Sequence, residues 1–173
     1  MQALLLTFWR ILLLRSEPQS IPASSSLLWL ALLLHFGVGF VLSLFSLSFS
    51  FSLLYALVST LTTVAVMHGM LLLFKKQVRT TQSLTALAVC ESMLGLMLLP
   101  LSVLYIVASG SDELRALLAI LSLLVLGWNV ALMAHILRSA LEISKGLGFV
   151  YSVVYLIIAM NVGEMVSVAG GAG

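Results

Sequence analysis

The chain has 173 residues, 62% of them apolar and 8% charged, with a net charge of +2 and a mean hydropathy of +1.22. A water-facing domain solvates its surface with roughly 25% charged residues, so this composition excludes a soluble globule and makes lipid the solvent. The basic residues form no stripe interleaved with aromatics, which argues against nucleic acid as a partner.

The first fifteen residues are apolar but broken by Arg10 and closed by Arg15. No basic residue precedes the apolar run and small-x-small spacing follows only weakly, so a cleaved leader is not the favoured reading. The run is also too short to span. It predicts a short helix lying in the membrane interface, with Trp9 at headgroup depth and both arginines toward anionic lipid. It is apolar on nearly every face, so docking against the spans is the alternative. Pro18 and Pro22 then break the helix, and Ser24, Ser25 and Ser26 supply N-caps for the next one. Residues 1–26 are thus an interfacial helix and a Pro/Ser linker.

Five apolar runs follow, at about 27–45, 53–74, 84–107, 117–137 and 149–168. Together they form an all-α, five-span domain over residues 27–168, with a short glycine-rich tail at 169–173. Residues 43–52 alternate serine with Leu or Phe, a strand-like period. An isolated strand cannot satisfy its backbone in lipid, so a tight helix–helix turn is expected. Ser111 is placed to cap the fourth span, with Asp112 and Glu113 in its first turn. Residues 138–148 read as a short connection in which Gly146 ends that helix. Seven of the eight basic residues fall in alternate connections: Arg10 and Arg15, then Lys75, Lys76 and Arg79, then Arg138 and Lys145. Cytoplasmic loops collect Lys and Arg, which orients the N-terminus inward and the C-terminus outward. Trp9 and these seven cations then define an inner face for lipid or a partner.

Polar groups inside lipid each need a reason, because a central charge costs ~2.5–3.5 kcal/mol on insertion scales. They are His35, His68, Glu91, Asn129, His135, Asn161 and Glu164. Glu91, about 10 Å into the third span at 1.5 Å per residue, is read as a helix–helix hydrogen bond, to His68 or Asn129, in preference to a proton or cation site. Asn161 and Glu164 share a face of the fifth span, Glu164 near its outer end. His35 lies nearer mid-membrane, beside Gly37 and Gly39. His68 and His135 match in depth and are the weak candidates for holding a haem-like group, with no spacing motif behind them. Cys90, alone in the chain, reads as a small apolar residue. No phosphate loop, nucleophile elbow or paired carboxylates occur, so no catalytic, metal or resident-cofactor residue is assigned.

Several stretches resemble the bacterial branch of the Yip1 superfamily. They are Arg79-Thr80-Thr81-Gln82-Ser83-Leu84-Thr85-Ala86 leading into the third span, Leu98-Leu99-Pro100-Leu101, Trp128-Asn129 through His135, and Ala140-Leu141-Glu142. The similarity covers about residues 27–168. It implies five spans in a bacterial inner membrane with a cytoplasmic N-terminus. Eukaryotic members bind small GTPases in membrane traffic and carry a long N-terminal region. About 26 residues precede the first span here, so that activity is not carried over.

The expected function is a non-enzymatic membrane scaffold or accessory subunit, partnered by lipid and by a membrane protein or another copy. Gly37, Gly39, Gly69, Gly95, Gly127 and Gly163 suit close helix contact. The first alternative is a small transporter or channel, proton-coupled through Glu91 and Asn129. The second is a cofactor-bearing subunit using His68 and His135.

Overall fold

The computed structural model describes residues 2–171 and is all-helical. A short helix α1 (Gln2–Leu12) precedes five long ones: α2 (Ser25–Ser43), α3 (Phe49–Leu73), α4 (Thr80–Val107), α5 (Asp112–Leu141) and α6 (Lys145–Gly171). All five long helices are long and apolar enough to cross a membrane. Their packing closes a ring in the order α2, α3, α6, α5, α4 and back to α2.

Local signals account for most boundaries. Ser24 caps α2 by accepting the Leu27 N–H (3.3 Å), and Ser111 caps α5 by accepting the Leu114 N–H (3.4 Å). Residues 44–48 make the expected turn, and α4 runs unbroken through Pro100.

The end of α5 departs from expectation. The helix stops at Leu141, where Glu142 takes a left-handed conformation (φ 57°), and Gly146 lies inside α6. Leu14 and Lys75 adopt the same conformation after α1 and α3. All three ends close with an amide reaching back five residues: Arg15 to Arg10, Lys76 to Leu71, and Ile143 to Arg138. That is the Schellman pattern, normally built around glycine because a side chain in that region costs about 1 kcal/mol or more. The tail assigned to 169–173 is shorter than expected, since α6 continues through Gly171 and the last two residues lie outside the described ones.

The short N-terminal helix takes the docked placement. Phe8, Ile11 and Leu12 are buried. The Phe8 carbonyl accepts the Cys90 thiol (3.8 Å), and the Leu12 carbonyl accepts the Trp128 indole N–H (2.9 Å). Cys90 lies ten residues beyond Thr80, about 15 Å along α4. Trp9 lines an apolar recess with Met93, deeper still. One face of the helix, with Phe8, Ile11 and Leu12, is buried against the bundle while Leu5, Leu6 and Trp9 face outward, and its orphan terminal carbonyl finds a donor.

The packed core lies in the half of the bundle that ends at the Lys/Arg loops. It joins α1 to Met67–Leu71, Leu84–Leu94 and Leu132–Leu141. In the other half, α4 and α5 expose long apolar faces, including Val103, Ile106, Leu117 and Leu123.

Candidate functional site

One polar chain crosses the bundle. Thr63 on α3 meets the Tyr155 hydroxyl on α6 at 2.8 Å. The Tyr155 hydroxyl donates to Oε1 of Glu91 on α4 at 3.0 Å. With its one hydrogen engaged by the carboxylate oxygen, the Tyr155 hydroxyl accepts from Thr63, so the chain is directed from Thr63 through Tyr155 to Glu91. On the carboxyl's other side, His35 Nδ1 on α2 lies 3.7 Å from Oε2, with side chains 14% (His35) and 10% (Glu91) exposed. Oε2 is itself buried and accepts no hydrogen bond. Four of the five long helices thus contribute one group each.

Close backbone approach makes this possible. A Cβ on Gly95 would lie 2.6 Å from Val38 Cγ1. Gly95 is one turn beyond Glu91 and Val38 one turn beyond His35, so the contact sets the gap between the pair. Chemically, a carboxyl and an imidazole here can share one proton in either of two arrangements: acid beside neutral ring, or carboxylate beside imidazolium. Both leave the pair without net charge, the condition for burying such groups at tolerable cost.

The partners of Glu91 therefore differ from those expected. They are Tyr155 and His35, while His68 is exposed on α3 and Asn129 is half-buried on α5. Asn161 is exposed and returns its amide to the Ile157 carbonyl of its own helix (2.7 Å), and Glu164 is exposed nearby. His135 is half-buried, its Nε2 bonded to the Ser16 carbonyl (2.9 Å), so that nitrogen carries a proton. Among the described residues, no group of three or more His, Cys, Asp or Glu could hold a metal ion. Tyr155 and Thr63 were not singled out in the sequence, and only their position in mid-span could have pointed to them.

A second polar cluster sits at the basic end. Glu142 is gripped by Lys76 on one carboxylate oxygen and Arg79 on the other. These two cations, Lys76 first, hold its carboxyl below the ordinary value of 4.5. Arg79 also donates to the Ser139 carbonyl (3.1 Å), completing the end of α5. The linker is stitched to the same place: Gln19 donates to the Ser139 carbonyl (2.8 Å), and Gln82 donates to the Ile21 carbonyl (2.6 Å). Glu17, Gln19, Arg79, His135, Arg138, Ser139 and Glu142 surround an open pocket of about 450 Å³. A neighbouring recess of about 410 Å³ is lined by Leu14, Ala131, Ala134, His135, Arg138, Lys145 and Phe149.

Of the proposed inner-face residues, Lys76, Arg79, Arg138 and Lys145 come together at this end, and Lys75 is exposed beside them. Arg10 and Arg15 are exposed, and Trp9 lies apart, beside Met93. Glu142, the acidic centre of the cluster, was missed; it is the one carboxylate between Arg138 and Lys145, which was the available signal.

The fold defines the class: an all-α integral membrane protein of five spans and a short docked N-terminal helix. Compared with protein-family models, curated proteins and solved structures, the chain matches none.

Proposed function

We propose that this chain is a non-enzymatic membrane scaffold or accessory subunit, working through helix–helix contacts with a second membrane protein or another copy of itself. The observation that carries this reading is the surroundings of four span glycines. A Cβ added at Gly37, Gly39, Gly69 or Gly127 would meet nothing within 4 Å. A mid-helix glycine costs about 1 kcal/mol against alanine, and no neighbour within the chain uses the space. Close approach by another helix would. α2, which carries two of the four, is also the least enclosed span, with 11% of its apolar window buried. Isolation from native membrane in mild detergent tests it: a complex of defined mass is expected, and a lone monomer would contradict it.

A second reading, a proton-coupled transporter, is favoured by the buried, unbonded Oε2 of Glu91 facing His35. Glu91→Gln should then abolish proton flux in proteoliposomes, and absence of flux in the unsubstituted protein removes the idea. An inward N-terminus, a bacterial inner membrane and kinship with Yip1-like proteins belong to this proposal too. What supports the orientation is the gathering of Lys76, Arg79, Arg138 and Lys145 at one end.

A further inference from the structure

The geometry points to a binding site for an anionic phospholipid in the recess between the ends of α5 and α6, with the headgroup phosphate on Arg138 and Lys145 and an acyl chain against Ala131 and Phe149. Three observations carry it. The recess is lined by two cations and no carboxylate. Among the described residues neither cation has an ion-pair partner, whereas Lys76 and Arg79, a short way off, are both taken up by Glu142. Both cations are exposed, so a phosphate can reach them without displacing a native contact.

The recess also has the right polarity along its length. Arg138 and Lys145 stand at the basic end. Ala131 is seven residues further up α5, about 10 Å deeper at 1.5 Å per residue. Apart from His135, whose Nε2 is already engaged by the Ser16 carbonyl, the rest of the lining (Leu14, Ala131, Ala134 and Phe149) is apolar, and small side chains at Ala131 and Ala134 leave it open. A charged rim over an apolar slot suits a lipid. A soluble anion would leave the slot unfilled, and an acidic peptide would have to cover it with side chains from above. The neighbouring pocket includes Glu17 and Glu142, and their charge disfavours a phosphate there.

The test is lipid retention by the purified full chain, read by native mass spectrometry with phosphatidylglycerol or phosphatidylcholine added to the detergent. Phosphatidylglycerol should be retained preferentially. Arg138→Gln with Lys145→Gln should weaken its retention roughly tenfold or more, as expected for the loss of two cations at the membrane surface. Arg115→Gln, at the opposite end of α5, should leave retention unchanged. Ala131→Phe should reduce retention of the lipid with both charges intact. Equal retention of the two lipids, or no effect of the double substitution, would overturn the proposal. So would displacement of the lipid by millimolar inorganic phosphate alone, which would mark a phosphate site without an acyl slot.

Discussion

Val38 occupies the space that a Cβ on Gly95 would take, its Cγ1 lying 2.6 Å from that position. The contact draws α2 onto α4 one turn above the His35–Glu91 pair. Gly95→Ala should therefore separate the helices and cost about 1–3 kcal/mol, the usual range for overpacking. Thermal unfolding in detergent should show the loss, and Val38→Ala in the same chain should recover part of it. Equal stability of Gly95→Ala and the unsubstituted protein would deny the close approach.

Tyr155 joins a donor, Thr63, to an acceptor, Glu91, so its removal should be felt at both. Tyr155→Phe leaves Thr63 and Glu91 Oε1 without their partner. An orphaned buried polar group costs about 1–3 kcal/mol. A double-mutant cycle of Tyr155→Phe with Thr63→Val should give a coupling of about 0.6 kcal/mol, the average for hydrogen bonds between membrane helices. Strict additivity of the two substitutions would argue that the bond is not formed.

Glu142 gives the basic end a pH dependence of defined sign. Lys76 and Arg79 lower its carboxyl in the folded state. A lowered folded-state value means the contribution is fully present above the ordinary 4.5 and lost as pH falls through the native value. The gap in melting temperature between the unsubstituted protein and Glu142→Gln should close on acidification. Because the side chain is half exposed, added salt should narrow the gap as well. A gap that widens in acid would reverse the assignment.

Cys90 reports on the docking of α1. It is fully buried, with Phe8 of α1 against it. A membrane-permeant maleimide should label it slowly. Trp128→Phe, which removes the donor to the Leu12 carbonyl, should speed labelling. Rapid labelling of the unsubstituted chain would place α1 away from α4.

The spans were legible because each is a long apolar run bounded by serine, proline or charge, and lipid leaves the backbone no alternative to helix. Their caps at Ser24 and Ser111 were legible for the same local reason. What was not legible is tertiary. The depth of α1 depends on Cys90 and Trp128 offering partners to its carbonyls. The partners of Glu91 come from helices far apart in sequence, and no periodicity marks a tyrosine or threonine as facing a carboxyl. Glycine spacing did not separate contacts within the chain from faces left open. Gly95 and Gly163 do meet neighbours, but Gly37 and Gly39 do not, and Gly148, read as part of a turn, lies where a Cβ would meet the Ala134 carbonyl oxygen at 2.8 Å. At the end of α5 a glycine was expected to stop the helix, and an ion-paired glutamate does so.

The scaffold reading predicts a protein neighbour at the faces carrying the open glycines. A benzophenone side chain introduced at Val41, one turn from Gly37, or at Leu123, one turn from Gly127, can capture whatever lies there in native membrane. Both positions are exposed on the bundle surface. Irradiation should shift the chain from its own 18.6 kDa to a discrete adduct with a second polypeptide or another copy, from at least one of the two positions. Recovery of the chain at its own mass or with lipid adducts alone, from both positions, would contradict the account.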